Sequence, residues 1–149
     1  MNAIKLLKEQ LNYNSAVIKN IHEHKIDTEG KDSYKFSEQG AIFSITKNIY
    51  NETTIFSKQE LSVEEIVEWL DKSSNKIEVV FTEGFRDLKC PTILCVTEID
   101  EIEKEITEFT KMVSGLVLRK KHYEFRDLKI PILDINKDFQ KFLDLFEIK

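Results

Sequence analysis

The segment His22-Glu23-His24-Lys25-Ile26-Asp27-Thr28-Glu29-Gly30-Lys31-Asp32-Ser33-Tyr34 crowds imidazoles, carboxylates, ammonium groups and a serine hydroxyl together. It follows the apolar run Ala16-Val17-Ile18. Polar groups at the exit of a buried strand lie where α/β proteins bind ligands, beyond the carboxyl ends of the strands. The same composition also suits a solvated loop that ends in a helix cap. Three acids are the best candidates for chemistry: Asp27, Asp32 and Glu83. A carboxylate at a strand end can hold Mg²⁺, directly or through water, against phosphate oxygens. Glu83 precedes Gly84, which permits close approach of backbone or ligand. Lys31 and Lys19 can act as phosphate-binding point charges. His22 and His24, two residues apart, point to opposite sides of an extended segment. With Asp27 or Glu29 they remain short of a persuasive zinc ligand set, and a histidine beside a phosphate or carboxylate is the better reading. A metal-dependent hydrolase built from His22, His24, Asp27 and Glu83 is a weaker alternative.

Glycine usage excludes one nucleotide site. The chain has only Gly30, Gly40, Gly84 and Gly115. A Walker A loop needs two glycines with a following Lys-Ser/Thr so that backbone N–H groups cradle phosphates. Lys25 stands where the first glycine would be for Gly30-Lys31, and Asp32 where the hydroxyl would be. No intact P-loop is present. Cys90 and Cys95 lack the spacing of a zinc site or a CxxC redox motif and read as reduced thiols. The 149 residues, 41% hydrophobic and 33% charged, suit one ordinary globular domain. A net charge of −5 makes nucleic acid and anionic membranes unexpected partners. No apolar run approaches a membrane span or a signal-peptide core, so a cytoplasmic location is expected.

The elements that must position these residues alternate. An amphipathic helix is predicted over 2–11 from Ile4, Leu7 and Leu11, and a strand over 16–21. A helix over about 32–39 is capped by Asp32 or Ser33 and stopped at Gly40. Strands are expected over 41–46 and, short and at an edge, within 49–56. Ser62-Val63-Glu64-Glu65 is a capping box, with Leu61 and Ile66 as its staple and Val63, Ile66, Val67 and Leu70 as the apolar face. Ile77 to Phe81 reads as a central parallel strand that delivers Glu83 and Gly84 to its end. Further strands are expected at 92–96, 112–118 and 131–134. A helix capped by Thr97 or Asp100 presents Ile99, Ile102, Ile106 and Phe109. The last helix opens at Asn136. This alternation predicts an α/β sandwich with a mostly parallel sheet, whose right-handed crossovers gather the 22–33 segment and residues 83–85 on one edge. Phe85-Arg86-Asp87-Leu88-Lys89-Cys90-Pro91 recurs as Phe125-Arg126-Asp127-Leu128-Lys129-Ile130-Pro131, read as turn chemistry before two strands. His122, in a basic loop, receives no role.

Taken in order, Ala16-Val17-Ile18-Lys19, His22-Glu23, Ile26-Asp27-Thr28-Glu29-Gly30-Lys31-Asp32-Ser33, Gly40-Ala41, Glu83-Gly84-Phe85 and a strand opening at Pro91 resemble the molybdopterin-guanine dinucleotide biosynthesis adapter (MobB) family over nearly the whole chain. The resemblance implies a single P-loop NTPase-like three-layer α/β domain over 1–149 that binds GTP with Mg²⁺. It further implies a homodimer that assists the molybdenum cofactor guanylyltransferase and hands over nucleotide or molybdopterin. Glu83 matches the family's Walker B-like catalytic acid. Gly30, Lys31, Asp32 and Ser33 match its second motif, and Lys19 and His22 its Lys and His. Asn20 stands where that pattern usually has another His. Gly84 joins the nucleotide-binding set, and Asp27, Asp32 and Glu83 the metal set.

Family members open with a strand and a Walker A loop, whereas this sequence opens with what would be the helix after that loop. A start assigned too late and a natural P-loop-less relative are the two expectations. Either predicts weak phosphate binding and doubtful GTPase activity for the chain as written. The alternative function is a non-enzymatic scaffold derived from the family.

Overall fold

The computed structural model describes residues 1–119 and 128–149. His122 and the start of the second Phe-Arg-Asp-Leu-Lys copy lie outside them. The chain divides into two compact units, one of Met1–Ser15 with Arg86–Lys149 and one of Ala16–Phe85.

In the first unit, α1 (Asn2–Leu11) buries Ala3 and Leu7. It stops at Asn12, whose left-handed backbone lets the N–H groups of Asn12 and Tyr13 bond back to the carbonyls of Lys8 and Leu7. Strands β5 (Thr92–Cys95) and β6 (Thr110–Ser114) pair in parallel, with a register shift between Thr92 and Ile93. The third expected strand contracts to one parallel bridge between Val113 and Ile132, held by Val113 N–H to Pro131 O and Leu133 N–H to Val113 O. Proline brings no donor to that ladder, and Asp134 ends it by accepting from the Asn136 N–H. Ser114 Oγ donates to Leu133 O within this layer.

Leu94, Val96, Ile102, Val113 and Val117 form one buried cluster of this unit, flanked by Ile99, Ile106, Leu128, Ile130 and Ile132. Ile102 comes from α4 (Asp100–Glu105), which is shorter than its apolar spacing suggests. Neither Thr97 nor Asp100 caps it. Instead Glu101 reaches back to accept from the N–H groups of Thr97 and Glu98. The Lys104 ammonium, 2.8 Å away, holds the Asp100 carboxyl below its usual value. The small support this gives α4 is present above the ordinary aspartate range and fades as pH falls through the lowered value. The strand expected over 112–118 ends at Ser114. Gly115 turns the chain into a 3₁₀ helix over Leu116–Arg119, and Val117 N–H bonds to Val96 O. The last helix, α5 (Phe139–Leu145), begins after Asp138 rather than at Asn136, which is held in the Asp134 turn. It buries Phe142 between Phe139 and Phe146, with ring centroids 6.0 and 5.2 Å away.

In the second unit, β1 (Ser15–Lys19) pairs with β4 (Val79–Glu83). Between them run α2 (Asp32–Glu38), β2 (Phe43–Lys47), β3 (Thr53–Ser57) and α3 (Val63–Asp71). α2 ends as expected, with Gly40 N–H to Ser37 O and Ala41 N–H to Phe36 O. It then packs on β2.

β2 and β3 form an antiparallel hairpin with Ile45 opposite Ile55, an exception that a mostly parallel arrangement admits. Ile49 and Tyr50 belong to its turn and not to a strand. The Asn48 side chain accepts from the N–H groups of Tyr50 and Glu52, and Asn51 takes a positive φ of 65°. Residues at alternate positions share a face, so Phe43, Ile45 and Ile55 lie together, and all three are exposed. The capping box of α3 forms in full, with Ser62 Oγ accepting from Glu65 N–H and Glu65 from Ser62 N–H. Ser62→Ala is expected to cost about 1 kcal/mol in urea unfolding; an unchanged midpoint would show that α3 does not depend on its cap. The apolar face of α3 is only half-buried at Val63, Ile66 and Leu70, while Val67 and Trp69 are exposed.

Candidate functional site

β1 and β4 bring their carboxyl ends together. β1 stops at Lys19, two residues sooner than its apolar pattern suggests, and β4 runs on to Glu83. The last bond between them is Asn20 N–H to Glu83 O, at 2.8 Å. Beyond it Gly84 turns away with φ +82°, and a Cβ there would lie 3.0 Å from Asn20 O. The left-handed backbone and the tight approach to a backbone oxygen together favour glycine at this strand ending. With both backbones fixed, the side chains converge. Lys19 Nζ sits 3.1 Å from Glu83 Oε1, and His22 Nε2 lies 3.3 Å from Gly84 O. Lys19, His22, Glu83 and Gly84 thus form one group although more than sixty residues separate its halves.

A second group forms within the loop. Gly30 lies in a turn closed by Lys31 N–H to Thr28 O. Lys31 is the N-cap residue of α2 through its backbone, and neither Asp32 nor Ser33 caps the helix with a side chain. The expected cap is replaced by a longer-range bond, because Ser33 is buried and its Oγ donates to Asp27 Oδ1 at 3.0 Å. Asp27 Oδ2 is also buried and has no hydrogen-bond partner among the described residues. An orphaned buried carboxylate oxygen carries a desolvation cost that a bound cation, water or donor would relieve. Asp32 is exposed and pairs with Lys35 at 3.5 Å. His24 is exposed.

Among the described residues, no three His, Cys, Asp or Glu side chains stand close enough to hold a metal by themselves. Asp27, Asp32 and Glu83 are thus not a preassembled triad, and neither are the histidines with Asp27 and Glu83. This arrangement suits Mg²⁺ better than zinc. Mg²⁺ keeps several waters and takes one or two carboxylates plus substrate phosphates. The exposed Glu83 carboxylate and the unpartnered oxygen of Asp27 fit that use, and a closed zinc site does not. Cys90 and Cys95 are free thiols. A shallow cavity of about 340 Å³, lined by Pro131, Leu133, Lys141, Asp144 and Leu145, contains none of the candidate residues.

The sequence of the first 117 residues decides the relationship. Residues 2–117 match the family profile of MobB, molybdopterin guanine dinucleotide synthesis protein B. The chain belongs to the MobB family. Its α/β fold agrees. A crystal structure of Bacillus subtilis MobB superimposes with a TM-score of 0.68 at 19% identity, covering 99% of this chain and 89% of that one. A second Bacillus subtilis MobB structure gives 0.68 at 15% identity, covering 99% and 87%. A crystal structure of molybdopterin-guanine biosynthesis protein B gives 0.63 at 18%, covering 98% and 87%. No curated protein matches the chain in sequence. Among the described residues, no helix is long and apolar enough to cross a membrane.

Several MobB-region residues were not legible as site neighbours. Tyr34 carries Lys58 Nζ 5.0 Å and Lys25 Nζ 5.7 Å from its ring centroid. Adjacency to Ser33 was the one available signal for Tyr34. Lys58, just past β3, gave none. Asn20 contributes through its backbone, which residue type does not reveal.

Proposed function

We propose that this MobB-family protein is a GTP-binding accessory in molybdenum cofactor guanylation, acting beside the guanylyltransferase. The observation that carries this reading is the pairing of Glu83 and Gly84 with Lys19 and His22 at the joined ends of β1 and β4. Glu83 would hold Mg²⁺, with Asp27 and Asp32 as further carboxylates that could reach it directly or through water. Lys19, His22 and Lys31 would meet the nucleotide phosphates, with Gly30 and Gly84 leaving room for them, and Ser33, whose hydroxyl bonds to Asp27, would have to give up that bond to join them. Mg²⁺, when bound, would supply charge neutralisation of those phosphates. The protein's own GTP hydrolysis is slow or lacking on this reading. Molybdopterin is the second candidate cargo, and the cytoplasm the proposed location. The test is guanylyl transfer by the guanylyltransferase, measured with and without this protein. Faster or more complete transfer supports the role; neither an effect on transfer nor binding to the transferase overturns it.

A specific observation favours the second reading, a scaffold without nucleotide chemistry. The hairpin face of Phe43, Ile45 and Ile55 is apolar and exposed, and two strands alone are marginal in water. A second copy covering it would give the homodimer. Ile45→Glu is then expected to convert a dimer to a monomer in light scattering at micromolar concentration. A dimer that survives the substitution places the interface elsewhere. Magnesium-dependent GTP hydrolysis that disappears in Glu83→Gln would rule the scaffold out.

A further inference from the structure

We propose that Lys19 is an exchangeable counter-ion for Glu83, so that cation binding at Glu83 and anion binding at Lys19 promote each other. This rests on the reading of Glu83 as the metal-holding acid. The backbone bond from Asn20 to Glu83 fixes the two strand ends, yet both side chains stay more than half exposed, at 57% and 65%. Such a pair holds weakly, by a factor of about five or less, and opens easily. A divalent cation approaching Glu83 meets the Lys19 ammonium already 3.1 Å from Oε1. Two cations on one carboxylate oxygen repel strongly, so the metal must turn Lys19 away. The displaced ammonium keeps its full charge at the strand exit, where a phosphate oxygen is its natural replacement partner. The reverse order is equivalent. A phosphate that draws Lys19 off leaves Glu83 with an unopposed charge for the metal. Linkage requires each ligand to tighten the other by the same factor. Lys19 thus keeps the empty site neutral and presents both charges only when a metal-bound polyphosphate arrives.

The two halves separate experimentally, because each ligand can be titrated alone. Mn²⁺ without nucleotide is followed by electron paramagnetic resonance, and pyrophosphate in the presence of chelator by calorimetry. Lys19→Met is expected to bind Mn²⁺ about threefold to fivefold tighter than the natural protein, the factor expected for releasing an exposed pair, and metal-free pyrophosphate more weakly. Glu83→Gln is expected to lose the Mn²⁺ site while binding metal-free pyrophosphate tighter, since Lys19 is then free. Lys47→Met, at an exposed lysine of β2 with no role in the site, serves as the control for a general charge change and is expected to leave Mn²⁺ affinity within about 1.5-fold. Lys19→Gln repeats the measurement should the methionine variant fold poorly. Mn²⁺ affinity that falls in Glu83→Gln but is unchanged in both Lys19 variants overturns the exchange alone. Mn²⁺ affinity indifferent to Glu83 overturns both the exchange and the metal reading on which it rests.

Discussion

Replacing Gly115 by alanine is expected to destabilise the unit containing β5 and β6 by about 3 kcal/mol, from positive-φ strain together with overpacking. Gly115 has φ +102°, and an added Cβ would lie 2.6 Å from Val96 O and 2.9 Å from Val96 N. Both atoms are backbone and neither can rotate away. They are also in use, because Val96 N–H bonds to Ser114 O and Val96 O accepts from Val117 N–H. Val96 and Val117 are core residues, so movement of this backbone disturbs packing as well as pairing. Urea unfolding of the variant measures the loss. A cost below about 1 kcal/mol, the low end of positive-φ strain alone, would mean that the turn relaxes freely and that the close approach is not a constraint.

On the proposed reading of Glu83 as a metal-holding acid, Glu83→Gln is expected to weaken divalent-cation binding at least about tenfold, since it removes a charged carboxylate from the strand exit. The amide keeps the shape of the side chain and leaves the Asn20–Glu83 backbone bond in place. Its unfolding midpoint should therefore stay close to that of the natural protein, because the exposed Lys19 pair adds little stability. This combination separates a functional acid from a structural one. A large loss of stability without loss of cation affinity would assign Glu83 to the fold.

Much of the fold was legible because its signals are local. The Ser62–Glu65 capping box and the stop of α2 at Gly40 each occupy a few residues and formed as read. The apolar run before Glu83 likewise marked a strand, though its ladder extends to the acid itself. The readings that failed involve competition between a local pattern and a specific bond. Ile49 and Tyr50 look like strand residues, but the Asn48 side chain captures the following N–H groups and makes a hairpin turn. Ser33 looks like a helix cap, but Asp27 claims its hydroxyl. The run around Gly115 looks like one strand, but the close approach to Val96 bends it. At the site, residue types pointed to Lys19, His22 and Glu83 separately. Their meeting depends on β1–β4 pairing across 64 residues, which local spacing does not encode. The alternation of helices and strands gathers the two segments on one sheet edge, but the direct pairing of β1 with β4 comes only from the structure.

The central claim is that the joined ends of β1 and β4 handle a magnesium-bound guanine nucleotide. Calorimetric titration of the purified protein with GTP, with and without Mg²⁺, tests it most directly. The expected result is saturable binding that strengthens with Mg²⁺ and loses that strengthening in Glu83→Gln. Equal heats with and without Mg²⁺, or no saturable binding in either condition, would contradict it.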